Sequence, residues 1–277
     1  MNKIMDEYTW DAEDYSNNST AQRDWARELI LKLNLKGTES VIDIGCGEGK
    51  ITAEIASQLP GGKILGIDRS NNMIDLAKKN YPQLKYPNLS FKMIDARNLQ
   101  FKEEFDIVFS NAALHWIKDH SSVISEIKNS LKSQGRLLLQ MGGKGNAESL
   151  ISILGNMMAK KEWNKYFHGF EFPYGFYESE TYILWLKEAG LNPIRVELIQ
   201  KKMSYKNKED LAGWIRTTWH PYTNCVPIHK RTEFINKLIK EYLEKYPLDN
   251  KGCVHVDMVR LEVDAIRSSD SNRTIGG

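Results

Sequence analysis

The chain has 277 residues, enough for one large α/β domain or two smaller ones, and its composition is that of a folded globular protein. Apolar residues make up 41% and charged residues 27%, which excludes a disordered chain, a collagen-like repeat and a small disulfide scaffold. Lys and Arg (38) exceed Asp and Glu (36) by only two, so the overall charge is too small to hold a polyanion. A local basic patch is compatible with this total, but no nucleic-acid partner is expected.

The cysteines and the apolar stretches bear on the cellular compartment. Cys46, Cys225 and Cys253 show neither a pairing pattern nor a metal-binding spacing, which favours a reducing environment. Charged residues interrupt every apolar stretch before the roughly 18 residues that a membrane helix needs. The segment Met1 to Trp10 carries acids where a signal peptide is apolar. We therefore expect a cytoplasmic protein with no membrane partner and no metal site.

From Ser40 onward, short apolar runs alternate with segments of helical spacing. The second helical segment follows Ser70, a residue type that commonly caps helices. Strands joined in parallel need a crossover, and a right-handed helical connection supplies it, so the alternation predicts an α/β fold built on a parallel sheet. The predicted strands lie at Val41 to Ile44, Ile64 to Ile67, Leu89 to Ile94, Phe105 to Ser110 and Leu137 to Met141.

The second half of the chain departs from this alternation. The segment Ala147 to Tyr166 predicts a helix, and Phe167 to Tyr177 is an aromatic loop that contains Gly and Pro. Two further strands, predicted at Ile194 to Leu198 and Val254 to Val263, bracket two helical segments. The aromatic side chains of this region form either an apolar lid or a cover for the sheet edge. They are Trp163, Tyr166, Phe167, Phe170, Phe172, Tyr174, Phe176 and Tyr177.

The first strand ends in a glycine loop, Asp43-Ile44-Gly45-Cys46-Gly47-Glu48-Gly49. Its glycines recur at every second position, one residue short of the dinucleotide spacing, which argues against an NAD-dependent oxidoreductase. Glycines in a turn from strand to helix let a ligand approach the backbone, so Gly45, Cys46 and Gly47 predict a nucleoside site. The carboxylates of Asp43 and Glu48 would repel a pyrophosphate but suit an ammonium or sulfonium centre. S-adenosyl-L-methionine carries both.

Acidic residues also end the next two predicted strands. Asp68, followed by Arg69, can accept hydrogen bonds from both hydroxyls of a ribose. Asp95, followed by Ala96, can accept from an exocyclic amine such as that of adenine, and Met73 offers an apolar surface for a ring. The alternatives are that such an acid caps a turn and that Met73 belongs to the core. We interpret Cys46 as a small turn residue without nucleophilic chemistry.

This set of residues resembles the class I S-adenosylmethionine-dependent methyltransferases. The resemblance spans roughly Ser40 to Met141 and includes Ser110-Asn111-Ala112 after the fourth strand. It implies a Rossmann-like, seven-stranded, mostly parallel sheet whose last strand is antiparallel. It also implies that S-adenosyl-L-methionine is the cofactor and that the backbone around Gly45 and Asn111 holds its methionine part.

The residues after the fourth strand narrow the methyl acceptor. Asn111-Ala112-Ala113-Leu114-His115-Trp116 lacks the two prolines that follow Asn or Asp in enzymes acting on nucleobase amines, and the chain has no Pro-Cys pair of a cytosine C5 enzyme. With Gln140-Met141, Trp214 and Glu244 to Leu248, this segment resembles the trans-aconitate methyltransferases and the juvenile hormone acid methyltransferases. Both families methylate a carboxylate oxygen, and the N-terminal Trp10, Tyr15, Ser19 and Gln22 fit them as well.

Methylation of a carboxylate makes modest chemical demands. The acceptor is already ionised at neutral pH, so the enzyme must align it, exclude water and balance charge. The resemblance implies Trp116, His115 and Gln22 as catalytic residues, with Tyr15 and Trp116 lining the acceptor pocket. Arg216, His220, Tyr222 and Arg260 are available as donors to the acid. His220 stands where trans-aconitate enzymes tend to carry an arginine, which leaves room for a more apolar acid.

Two other functions remain open from the sequence. One is N-methylation of a small-molecule amine, for which His115 or His220 would be the candidate base. The other is a non-catalytic partner protein that binds S-adenosylmethionine. Methylation of RNA or protein predicts a basic face and strong salt dependence, whereas the lysine clusters of this chain are more simply solvated surface.

For the whole chain we expect one methyltransferase domain over residues 1–267 and a disordered tail at 268–277. Within the domain, the expected parts are an N-terminal lid segment at 1–39, a cofactor-binding core at 40–143, and helical insertions over the substrate site at 144–192 and 204–251.

Overall fold

The computed structural model describes residues 20–269, with side chains from residue 25 onward. Residues 1–19 of the expected N-terminal lid segment and residues 270–277 of the expected tail lie outside the described residues.

Seven strands form one mixed sheet in the order β3-β2-β1-β4-β5-β7-β6. The strands β1 to β5 pair in parallel, and β7 runs antiparallel to β5, which confirms the predicted fold class. The strands are β1 (Ser40–Ile44), β2 (Lys63–Asp68), β3 (Leu89–Met93), β4 (Phe105–Asn111), β5 (Leu131–Gly142), β6 (Leu191–Tyr205) and β7 (Val254–Arg267).

Nine α-helices connect these strands within the described residues, together with two short 3₁₀ turns at Leu114–Trp116 and Asn164–Tyr166. The helices are α1 (Thr20–Leu33), α2 (Lys50–Ala56), α3 (Asn71–Asn80), α4 (His120–Ser130), α5 (Glu148–Met158), α6 (Ser179–Glu188), α7 (Lys208–Thr218), α8 (His220–Thr223) and α9 (Ile228–Lys245).

Alternate residues of the inner strands β1, β4 and β5 enter two different cores, one on each face of the sheet. Val41 and Leu138 pack with Leu29 of α1 in the first core, which also contains residues of α2 and α3. Ile42 and Leu139 belong to the second core, which contains residues of α4 and α6. Because helices cover both faces, the inner strands are apolar at nearly every position, which is why they read as continuous runs in the sequence.

Chain contacts divide the protein into two compact units. Residues 23–144, 174–199 and 260–269 form the first, which we call the sheet unit. Residues 145–173 and 200–259 form the second, the helical unit, in which α9 packs against α5 and α7. The helical unit therefore takes in much of the two expected helical insertions, whereas α6, expected within the first insertion, belongs to the sheet unit.

Several predicted elements differ in length from those observed. The helix predicted over Ala147 to Tyr166 ends at Met158, and the chain then turns so that Trp163 is fully buried, with its ring 5.0 Å from that of Phe234. The strand predicted at Ile194 to Leu198 is longer in the structure, where β6 spans Leu191–Tyr205. The prediction was too short because β6 is an edge strand, and the exposed polar side chains on either side of the apolar run hide the rest of it in the sequence. Within residues 20–269, no helix has the length and the apolar character to cross a membrane.

A buried carboxylate joins the end of α1 to the sheet. Glu262 of β7 is 1% exposed and accepts hydrogen bonds from Lys32 (2.6 Å) and Gln140 (3.1 Å), and it also pairs with Arg195. Burial acts to raise the pKa of Glu262, but the bonds from Lys32 and Arg195 outweigh it and leave the pKa below its ordinary value. Glu262 is therefore ionised at neutral pH and neutralises cations from two other elements.

A second ion pair lies next to this carboxylate. Arg136 of β5 binds both carboxylate oxygens of Asp264, at 2.9 and 2.8 Å, and also donates to the carbonyl oxygen of Leu33 at 3.0 Å. A guanidinium at the last carbonyls of a helix satisfies groups that have no partner inside the helix. Glu262 and Arg136 together fix the C-terminal end of α1 against β5 and β7.

Replacing Glu262 with Ala should lower the free energy of unfolding by about 1–3 kcal/mol, because Gln140 loses a buried hydrogen-bond partner and the partly exposed Lys32 and Arg195 lose their counter-ion. Glu197→Ala is the matched control, since Glu197 also pairs with Arg195, at 3.5 Å, but its side chain is 56% exposed. That control should change stability by less than about 1 kcal/mol. Urea unfolding of both variants measures the difference, and equal small effects would show that Glu262 is not a structural anchor.

Candidate active site

The glycine loop after β1 is bonded to the end of the neighbouring strand β2. The N–H groups of Gly45 and Cys46 both donate to the carbonyl oxygen of Ile67, at 2.8 and 2.9 Å. Gly45 has a φ of +76°, and an added Cβ would lie only 2.1 Å from the Cβ of Ala113. Gly47 has a φ of +53°, but an added Cβ there would meet nothing within 4 Å. Glycine at 45 thus lets two strand ends meet, and Gly47 leaves its backbone open to a ligand.

Asp68 ties the end of β2 to the same loop. One carboxylate oxygen accepts from the N–H of Gly47 at 3.1 Å, and the other accepts from the N–H of Ser70 at 2.8 Å. Burial raises the pKa of Asp68 above its ordinary value. Each oxygen keeps a further acceptor position, which suits the two hydroxyls of a ribose. Ser70 caps α3 by accepting from the N–H of Met73, as predicted, and Met73 is buried.

Asp43 and Cys46 are buried beneath the turn. The carboxylate of Asp43 accepts a hydrogen bond of 2.7 Å from Thr52 at the start of α2. Burial raises the pKa of Asp43 to about 7, against the hydrogen bond from Thr52, and the charge of Asp68 adds to the rise. Burial also raises the pKa of the Cys46 thiol far above its ordinary value, so this thiol stays protonated. This environment favours a role for both residues in holding the turn.

The acid after β3 is already engaged by a neighbour that the sequence analysis did not include. Arg97 donates from Nε and Nη2 to the two carboxylate oxygens of Asp95, at 3.0 and 2.5 Å, and the pKa of Asp95 falls chiefly because of these bonds. Ala96 is buried in the second core, and Arg69 is exposed. Contact of Asp95, Ala96 and Arg69 with a cofactor stays a prediction. The sequence signal for this pair is an Asp at the start of a turn, whose side chain commonly accepts from the residue two positions later, as the N–H of Arg97 does here at 2.9 Å.

The end of β4 packs against the same loop. Ser110 donates from Oγ to the carbonyl oxygen of Ile44 at 2.7 Å, and the N–H of Ala112, at a φ of +56°, donates to the carbonyl oxygen of Gln140 at 2.8 Å. Asn111 lies between them and is paired in register with Gln140 of β5. The structure thus brings together Gly45, Cys46, Gly47, Asp68 and Asn111 at one edge of the sheet.

A 3₁₀ turn carries His115 and Trp116 directly after this strand end. His115 is buried, and its pKa lies well below its ordinary value because of burial and the positive charge of Arg260. Its ring centroid lies 5.4 Å from that of Trp116, and the Trp116 ring meets Tyr174 edge-on at 5.1 Å. His115 is therefore neutral at physiological pH, among aromatic rings.

The aromatic run from Trp163 to Tyr177 is divided between the two units. Tyr174 stacks on Phe176 at 5.1 Å beside His115 in the sheet unit. Trp163 and Phe167 pack on Phe234 in the core of the helical unit. Each half of the run therefore contributes to the packing of its own unit, and the choice between a lid and a cover for the sheet edge stays a prediction.

The predicted acceptor-binding residues fall in different parts of the chain. Arg216 lies on the exposed side of α7, while His220 and Tyr222 are buried in α8, all within the helical unit. Tyr15 and the side chain of Gln22 lie outside the described residues, so both remain predictions. Over the described part of the chain, no group of three or more His, Cys, Asp or Glu side chains is placed to hold a metal ion.

The raised pKa of Asp43 makes a pH-dependent prediction. Since the pKa is about 7 in the folded protein and 3.8 ordinarily, the folded state keeps a proton that the unfolded state releases. Stability is therefore lost as the pH rises through this window, by about 4 kcal/mol between about pH 4 and pH 8. Asp43→Asn keeps an acceptor for Thr52 but does not titrate. Its free energy of unfolding, relative to the unaltered protein, should rise across that window, and parallel pH profiles would contradict the assignment.

Comparison with known proteins places this geometry in a family. The family model of a methyltransferase domain matches residues 35–190. An uncharacterized methyltransferase of Schizosaccharomyces pombe is 32% identical over 80% of this chain and 85% of its own length. The trans-aconitate 2-methyltransferase of Shigella flexneri serotype 5b is 26% identical over 94% of this chain and 98% of its own.

A solved structure shares the fold. The phosphoethanolamine N-methyltransferase 2 of Haemonchus contortus matches with a TM-score of 0.60 at 19% identity, over 93% of this chain and 57% of that one. The family match covers more than half of the chain, and the sheet order with its glycine turn agrees with it. The chain belongs to the methyltransferase domain family and is a class I S-adenosylmethionine-dependent methyltransferase.

Proposed function

We propose that this methyltransferase acts on a carboxylate oxygen of a small organic acid and releases a methyl ester. Two features support the choice of acceptor. The trans-aconitate 2-methyltransferases are similar over nearly the whole chain, at 26–27% identity. The histidine next to the cofactor loop is buried and weakly basic, which suits an acceptor that needs no deprotonation.

The state of His115 is the observation that carries this proposal. A general base works best when its pKa lies near the working pH, and burial together with Arg260 moves the pKa of His115 well below that range. An amine acceptor must lose a proton before or during methylation, whereas a carboxylate is ionised at neutral pH. The site therefore fits a carboxylate better than an amine.

The residues of the loop edge would hold the cofactor. Asp68 would accept from the ribose hydroxyls, and the backbone at Gly45 and Gly47 with Asn111 would bind the methionine part. When bound, S-adenosyl-L-methionine supplies a methyl group on a cationic sulfur, and the carboxylate oxygen takes the methyl while the bond electrons return to the sulfur. The anionic acceptor becomes a neutral ester, so the aromatic surroundings of His115 and Trp116 assist by excluding water.

Replacing Asp68 with Ala should weaken binding of S-adenosylhomocysteine by about 1–3 kcal/mol, because hydrogen bonds to a charged group are lost. Asp75→Ala is a suitable control, since Asp75 is an exposed acid on α3 whose carboxylate accepts a hydrogen bond of 2.8 Å from Asn71. Titration calorimetry measures both affinities, with melting temperatures recorded to separate loss of fold. An unchanged affinity in a folded Asp68→Ala protein would remove Asp68 from the site.

A screen of acids, amines and phenols with methyl-labelled cofactor tests the acceptor class. We expect label in an alkali-labile ester of an acid, and Trp116→Ala should lower kcat/KM by on the order of 100-fold, because a pocket wall that aligns the acceptor is lost. Trp185→Ala serves as control, since Trp185 packs beside Tyr177 and Tyr182 away from the loop. Label confined to amines would establish N-methylation instead, and cofactor binding without any product would favour a non-catalytic role.

A further inference from the structure

One buried arginine lies at the same edge of the sheet as the cofactor loop. Arg260 is 3% exposed and is paired in register with Gly142, the last residue of β5. The carboxyl ends of β1, β4 and β5 lie at one edge because these strands are parallel, and the antiparallel β7 places Arg260, midway along its length, beside the end of β5 at that edge.

The guanidinium is held by the N-terminal helix of the sheet unit. Its central carbon lies 5.4 Å from the ring centroid of Trp25 on α1, and Trp25 is itself buried. A guanidinium over an indole ring keeps its charge and its planar set of donors, which match a carboxylate in two parallel hydrogen bonds. This contact orients the guanidinium of Arg260.

The positive charge of Arg260 acts on His115, which lies directly after the end of β4. It is the strongest charged influence that lowers the pKa of His115, which lies within the 3₁₀ turn beside Trp116. Arg260 therefore places a positive charge near His115, whose ring contacts those of Trp116 and Tyr174. An anion there gains more from a cation than it would in water.

A carboxylate bound by Arg260 cannot also be the best nucleophile. Methyl transfer removes the negative charge of the attacking oxygen, so a guanidinium paired with that oxygen would stabilise the acid more than the transition state and would slow the reaction. A second carboxylate on the same acid keeps its charge throughout. Pairing with Arg260 then contributes equally to binding of the acid and of the transition state.

We propose that Arg260 binds a carboxylate of the acceptor that is not methylated, and so selects acids with at least two carboxylates. This inference rests on the proposed function and deepens it. Arg260 acts as a specificity-determining residue, and loss of it should raise KM with little change in kcat, which is the kinetic signature of an interaction present equally in both states.

The test compares a polycarboxylic with a monocarboxylic acceptor. With labelled cofactor, the unaltered protein should methylate trans-aconitate with a lower KM than trans-2-hexenoate. Arg260→Gln should raise the KM for trans-aconitate by roughly 10- to 100-fold with kcat within about threefold, and it should leave the KM for trans-2-hexenoate unchanged. Arg260→Lys, which keeps the charge, should recover part of the loss.

Arg195→Gln is the matched control. Arg195 is a partly buried arginine of the same sheet unit that pairs with Glu262, so its loss removes a similar charge without touching the proposed site. Its KM values should equal those of the unaltered protein. Melting temperatures and the affinity for S-adenosylhomocysteine report whether each variant is folded, and if Arg260→Gln is not, the comparison is made with Arg260→Lys and with Trp25→Leu.

The outcomes separate this inference from the function on which it rests. Equal KM values in the unaltered and Arg260 proteins, or a fall in kcat at constant KM, would overturn the role of Arg260 while leaving ester formation intact. If no acid is methylated, calorimetry of trans-aconitate with the S-adenosylhomocysteine complex still applies. Binding lost in Arg260→Gln would then support the anion site although the proposed reaction fails, and equal or absent binding would overturn both.

Discussion

The candidate site depends on one carbonyl oxygen. Ile67 at the end of β2 accepts hydrogen bonds from two consecutive N–H groups of the loop after β1, and this fixes the turn of Gly45 and Cys46. Only a residue without a side chain fits at position 45, because the Ala113 methyl group occupies the space where a Cβ would lie. The ends of β1, β2 and β4 are therefore locked together before any ligand binds, and a preorganised edge of this kind lowers the cost of ordering the loop on binding.

Buried charges then give the edge its chemistry. Asp43 and Asp68 lie under the loop, and burial raises the pKa of both, while Arg260 and burial keep His115 neutral. These groups are complementary to a sulfonium cofactor and to the acid that we propose as the acceptor. In the proposed reaction the two reactants carry opposite charges that cancel, so no proton needs to move and alignment and exclusion of water suffice.

Local sequence signals predicted the glycine turn and the capped helix after β2 better than they predicted the lengths of the elements in the second half of the chain. The spacing of the glycines, the acids after β1 and β2 and the Ser70 cap are set by neighbours within a few residues, and the predicted sheet and its antiparallel last strand are confirmed. The predicted C-terminal end of α5 was wrong because Trp163 packs on Phe234 of α9, a helix that lies far away in the sequence. The register that brings Arg260 to the cofactor edge, and the contact of its guanidinium with Trp25, depend on strands and helices far apart in sequence, where periodicity carries no information.

The position of β7 has a consequence for synthesis on the ribosome. Among the described strands β7 comes last in sequence but lies between β5 and β6, so both of its neighbours are translated before it. Until residues up to Arg267 have left the exit tunnel, β5 and β6 each present an unpaired edge, and the edge of β5 includes the apolar run Leu137 to Leu139. The nascent chain thus passes through a stage in which the gap between β5 and β6 is open. Another hydrophobic segment can pair with these edges before β7 does.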